Sequence, residues 1–200
     1  MPGDDWISFV VIGLPLLIPP PLEPSPELLQ AAAGWAFATR LAFSFVPAWI
    51  GKSTHSPYGL VKKAVSSLLF GLVATLLGTA LLLVVFVLFG SPLASYGVET
   101  AIAAFYVSTI LFFPIGSLWR LDWRSMIDAE HRGQCSHLWL LLGDVLVLAT
   151  LAIWASTFCL PLDWQWTWQK WPIPCLWAAY LASLALTLVY GATAALFERG

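Results

Sequence analysis

The sequence predicts an all-α polytopic membrane protein, one transmembrane helical domain with about six membrane-spanning helices and both termini in the cytosol. Of its 200 residues, 60% are hydrophobic and only 10% charged, against about 25% charged in an ordinary soluble domain. The apolar residues gather into six runs separated by polar or proline-rich breaks. The basic residues are also uneven. With six crossings, one side holds Lys52, Lys62, Lys63, Arg120, Arg124, Arg132 and Arg199 and the other only Lys170, which assigns the first side to the cytosol.

The first run, 6–18, is broken by Pro15 and ends in Pro19-Pro20-Pro21. Its helix would rise about 20 Å against a hydrocarbon core of about 30 Å, which makes it either a poor span or a re-entrant segment; if it does not cross, only the N-terminus changes side. Asp4 and Asp5 stand where a signal peptide needs positive charge. The second run, 28–50, is long enough to span, and Ala32, Ala36, Arg40, Ser44 and Ala48 recur every four residues, placing Arg40 on a small-residue face. A polar loop to Lys63 leads to the third run, 64–89, long enough to tilt. Gly90-Ser91-Pro92 turns the chain into the fourth run, 98–119. Glu99 sits in its first turn, where the helix dipole favours a carboxylate. The hydrophilic stretch 120–137 precedes the fifth run, 138–160, which carries Asp144 about two turns inside. In the sixth, 172–197, Cys175, Ala179, Ser183, Thr187, Gly191 and Ala195 repeat at i, i+4. Such a stripe lets another backbone approach closely, from within this chain or from a separate subunit.

Several function classes fall away. A net charge of -2 with scattered basic residues offers no patch for nucleic acid. Asp128, Glu130, His131, Cys135 and His137 crowd one loop without a metal-ligand spacing. Every histidine lies in a cytosolic loop, and only Glu23, Glu27, Glu99 and Asp163 are lumenal carboxylates, too sparse for a two-metal phosphotransfer site. No catalytic, cofactor or metal set is expected. Cys159 and Cys175 flank one loop and could form a bridge, although three cysteines do not make a complete disulfide framework. Arg40 and Asp144 are the two charges deepest in the apolar runs, and intramembrane charges mark function by default. Their depths differ by about 6 Å at 1.5 Å per residue, within reach of an interhelical ion pair.

The connection 160–174 is the stretch that membrane composition alone does not explain. Trp164, Trp166, Trp168 and Trp171 fall within eight residues between Pro161 and Pro172, with Asp163 the only acidic group. Prolines at both edges stop the flanking helices and preshape the loop. An aromatic belt at the headgroups accounts for tryptophans in this position. A docking surface is the alternative to that leading account, with Trp164, Trp168 and Trp171 as apolar anchors and Asp163 accepting from backbone N–H groups at its turn.

Pro161-Leu162-Asp163-Trp164, then Trp168-Gln169 and Trp171-Pro172-Ile173 with Cys175 beyond, resembles the signature loop of the Pig-F family. Upstream, Gly90-Ser91-Pro92-Leu93 leading to Glu99-Thr100 is similar to that family's Gly-x-Pro-Leu turn with Glu-Thr entering the next helix. The resemblance covers roughly residues 60 to 197. Where the family pattern has an Arg-Pro pair before Trp168, this chain has Trp166 and Thr167, so a role carried by that arginine is not implied.

The resemblance implies the small non-catalytic membrane subunit of a glycosylphosphatidylinositol (GPI) ethanolamine-phosphate transferase, multi-pass in the endoplasmic reticulum membrane and acting in GPI-anchor biosynthesis. It implies a hetero-complex with a multispanning catalytic subunit, and contact with membrane lipid, the GPI precursor being the candidate. Partner contacts are then expected at Asp163, Trp164, Trp168, Trp171 and Pro172 and along Ala179, Ser183, Thr187 and Gly191, with Gly90, Pro92 and Glu99 as the motif turn. The alternative is a small transporter or lipid carrier whose pathway is marked by Arg40 and Asp144.

Overall fold

A computed structural model describes residues 19–23, 25–44, 57–91, 93–119, 137–159 and 169–197. Among them are five α-helices and no strand: α1 (Pro26–Ser44), α2 (Pro57–Leu88), α3 (Leu93–Trp119), α4 (His137–Ser156), which runs into a 3-10 turn (Thr157–Cys159), and α5 (Ile173–Phe197). The expected run at 6–18 lies outside the described residues. Among the described residues, two helices are long and apolar enough to cross a membrane, over Ala64–Leu88 and Ala94–Ser117.

The helix starts differ from the expected ones for local reasons. Helix α1 begins two residues before Leu28 because Ser25 caps it: Leu28 N donates to Ser25 Oγ at 3.2 Å, and Pro26 fills the first position, where a missing N–H costs nothing. Pro57 likewise fills the first position of α2, so Lys62 and Lys63 are helical rather than part of the polar loop. Helix α3 begins at Leu93, ahead of the expected Val98, and is kinked at Tyr96 (φ −134°, ψ 36°). The expected start corresponds to the part beyond the kink.

Helix α3 is the centre of the bundle. Its crossing window is 61% buried, against 33% for that of α2, and it packs on α2, α1, α5 and α4. Ala103, Ala104, Val107, Ile110 and Leu111 on α3 join Phe86, Ala149, Leu176 and Ala179 in one core. The closest approach is the antiparallel α2–α3 pair. A Cβ added at Gly116 would meet Ala74 Cβ and, at 2.5 Å, the Phe70 carbonyl, while one at Gly71 would touch the Phe113 ring. The glycines are what admit the neighbouring helix to this distance. Two hydrogen bonds cross the same seam: Ser108 Oγ donates to Thr75 O at 2.7 Å and Ser67 Oγ to Ser117 O at 2.6 Å. The second gives a donor to a carbonyl in the last turn of α3, where the intrahelical ladder runs out.

Hydroxyls elsewhere in these apolar helices bond back one turn, as Thr109 Oγ1 does to Phe105 O, Ser183 Oγ to Ala179 O and Thr187 Oγ1 to Ser183 O. Each is thereby satisfied within its own helix, where bilayer hydrocarbon could offer nothing.

Candidate functional site

The structure brings the two sequence motifs together at Thr100. The first motif closes α2 as a Schellman cap: Gly90, at φ 85°, takes the left-handed conformation open to glycine, Gly90 N donates to Val87 O at 3.0 Å, and Ser91 N donates to Phe86 O at 2.9 Å. This presents Ser91 Oγ to Thr100 Oγ1, 3.2 Å away. From the end of the second motif, Trp171 Nε1 donates to the same Thr100 Oγ1 at 2.7 Å, and Thr100 Oγ1 donates to Tyr96 O at 2.6 Å.

The proton count fixes the directions. A threonine hydroxyl has one hydrogen and two lone pairs. The hydrogen goes to the carbonyl beside the α3 kink, so both Trp171 and Ser91 donate to the oxygen. Thr100 is fully buried and Trp171 only 6% exposed, so each bond is made where water cannot substitute. The indole also stands edge-on to Phe86, centroids 5.3 Å apart at 90°. Beyond it the Trp171–Pro172 peptide is cis and Ile173 N donates to Lys170 O at 3.0 Å as α5 begins. One tryptophan therefore ties the end of α2, the kinked start of α3 and the entry to α5.

Other expected site residues are placed as follows. Asp163, Trp164, Trp168 and Pro92 lie outside the described residues. Trp171 and Pro172, expected on a partner surface, are buried inside this chain, because the indole N–H finds its acceptor on α3. Ala179, Ser183 and Thr187 are likewise buried. Their small side chains are buried within this chain, and Ala179 belongs to its core. Cys175, at its head, accepts a hydrogen bond from Ser156 Oγ at 3.4 Å. Gly191 lies within α5, and Glu99 is half-buried beside Thr100.

Arg40 is 2% exposed and donates from Nη2 to Ile110 O at 3.3 Å. That carbonyl would normally accept from the N–H four residues on, but position 114 is proline and has none. The guanidinium thus supplies a donor that α3 lacks. Asp144 is on the exposed side of α4. Phe37, one turn before Arg40, packs on Phe105 and Phe113 of α3 with centroids 5.3 and 6.4 Å away.

Sequence reasoning missed Phe86, Ser91 and Thr100 as a unit, and Pro114 as the reason for Arg40. The available signals were a hydroxyl beside Glu99 in a motif and a proline well inside an apolar run.

Comparison with known proteins places these motifs. The chain is 33% identical over 118 residues to glycosylphosphatidylinositol anchor biosynthesis protein 11 of Debaryomyces hansenii, covering 56% of this chain and 49% of the relative. It is 34% identical over 134 residues to the protein of the same name from Aspergillus fumigatus, covering 64% and 41%. To the mouse protein named GPI ethanolamine phosphate transferase, stabilizing subunit, it is 30% identical over 122 residues, covering 58% and 54%. The matches thus span about half the length of these curated relatives. No solved structure matches the chain. The family match runs over residues 21–191, taking in α1 as well as the Thr100–Trp171 junction, and on it the chain belongs to the GPI biosynthesis protein family Pig-F.

Proposed function

We propose that this chain is a non-catalytic subunit that stabilises a GPI ethanolamine phosphate transferase in the endoplasmic reticulum membrane. The observation that carries the reading is kinship with the mouse and human proteins named as the stabilizing subunit of that transferase. The geometry at Thr100 supports it. Both family motifs are engaged in joining helices, a use suited to a scaffold, and the lumenal carboxylates in the sequence are too few for a two-metal phosphotransfer site. In this reading the chain crosses the bilayer six times with both termini cytosolic, and the loop at 161–168 faces the lumen, where Asp163, Trp164 and Trp168 contact the catalytic subunit. The partner supplies the metals and the nucleophile and binds the GPI precursor.

A transporter would need Arg40 to line a pathway. Its burial against α3 and its bond to Ile110 O support a structural use instead.

Purification of the tagged chain from native membranes tests the proposal. It should bring down a larger multispanning subunit, and the reconstituted chain alone should show neither turnover nor solute flux. A stable monomer, with ethanolamine-phosphate transfer intact after its deletion, would overturn it.

A further inference from the structure

We propose that the outer face of α2 holds one acyl chain of an anionic glycerophospholipid, with the lipid phosphate on Lys62. A groove of about 490 Å³ runs along this face. Val65, Leu69 and Val73 form one wall at i, i+4 spacing, and Ser66 and Phe70 form the neighbouring row, with Lys62 at the mouth. The two rows make a straight track along the helix.

Depth selects the occupant. Lys62 precedes by two positions the apolar stretch that begins at Ala64, so its ammonium sits at the level of the headgroups. From Ala64 to Val73 the helix rises about 14 Å at 1.5 Å per residue, about half of a 30 Å hydrocarbon core. The track is therefore one leaflet deep, apolar along its length and cationic at its outer end. An anionic phospholipid matches it in charge and in polarity along the same axis. The orientation expected from the basic residues puts the mouth at the cytosolic leaflet, where anionic lipids concentrate. This inference rests on α2 crossing the bilayer and is independent of the stabilising-subunit reading.

The full chain, kept in its native complex, is placed in phosphatidylcholine vesicles doped with a phosphatidylserine carrying a photoreactive group on its acyl chain. Labelled residues are located by peptide mass spectrometry. A phosphatidylcholine carrying the same group serves as the comparison. Label from phosphatidylserine should concentrate at residues 65–73, exceeding that from phosphatidylcholine by about five-fold, the preference one lysine confers near an anionic surface. Lys62→Gln should abolish the preference without altering thermal unfolding, since the side chain is exposed. Ser66→Trp, which fills the track and leaves Lys62 in place, should remove the label there. Equal labelling by both lipids, or phosphatidylserine label spread evenly over Leu76–Leu81 and Leu181–Val189, would overturn the proposal in favour of ordinary boundary lipid. Absence of label from 65–73 in the wild type would overturn it in favour of a protein segment covering the face.

Discussion

Helix α3 is repaired in two places, about 15 Å apart along its axis from Thr100 to Ile110, and the repairs differ in kind. At Thr100 the damage is a helix start and a kink, and the remedy is neutral: two donors, Trp171 and Ser91, converge on one hydroxyl. At Ile110 the damage is the N–H missing at Pro114, and the remedy is a cation carried in from α1. A neutral network adds little desolvation cost, so its members stabilise by nearly the full value of their packing and hydrogen bonds. A buried guanidinium opposes its own benefit with desolvation, and removing it leaves a carbonyl that cannot rotate towards another donor. The first site should therefore be the stronger, and the second should reveal itself mainly through coupling.

The largest effect is expected for Trp171→Ala. It removes an indole that is 6% exposed and packed on Phe86, at a cost of about 3 to 5 kcal/mol, read as a fall in resistance to SDS-driven unfolding. Thr100→Val should follow. The shape is kept but the Trp171 N–H is left without its acceptor, for about 1 to 3 kcal/mol. A loss equal to that of Trp171→Ala would mean that the indole acts through its hydrogen bond alone and not through packing.

The Arg40 site is best examined as a cycle. In the Pro114→Ala background an N–H is again available for the Ile110 carbonyl, so Arg40→Leu should cost about 1 to 2 kcal/mol less there than in the wild type. Equal costs in both backgrounds would show that Arg40 does not serve the proline gap. The smallest change is Ser91→Ala, which removes the second donor to Thr100 but leaves the Gly90 cap to the backbone. About 0.5 to 1 kcal/mol is expected by the same unfolding measurement. A loss above that of Thr100→Val would reverse the ranking of the two donors.

The same pair of sites marks what the sequence made legible. The Gly90 turn could be read because glycine followed by Ser-Pro after an apolar run demands a left-handed stop, and the helix runs were set by apolar length. Thr100 could not be read, because its bond to Trp171 joins residues 71 positions apart and exists only once α5 lies against α3. Trp164, Trp168 and Trp171 looked alike in sequence, yet Trp171 is an interior strut by virtue of an acceptor on another helix. Arg40 was visible as a deep charge on a small-residue face. Its bond to the Ile110 carbonyl was not, because attention to charges pointed to Asp144 and passed over a backbone carbonyl freed by a proline. The small-residue stripe of α5 was real, but spacing could not say whether its neighbour belonged to this chain. The α2–α3 seam carries a repeat of the same kind, Ser67, Gly71, Thr75 and Thr79 on α2, which went unread because it lies inside a long apolar run.

If the chain serves to stabilise a partner, the state of α3 must be felt by that partner, and the lifetime of the catalytic subunit reports this most directly. In cells deleted for this chain, the half-life of the GPI ethanolamine phosphate transferase catalytic subunit should shorten, return to normal with the wild-type chain, and remain short with Trp171→Ala expressed to the same level. A catalytic subunit whose half-life and transfer activity were unchanged by deletion would contradict the account.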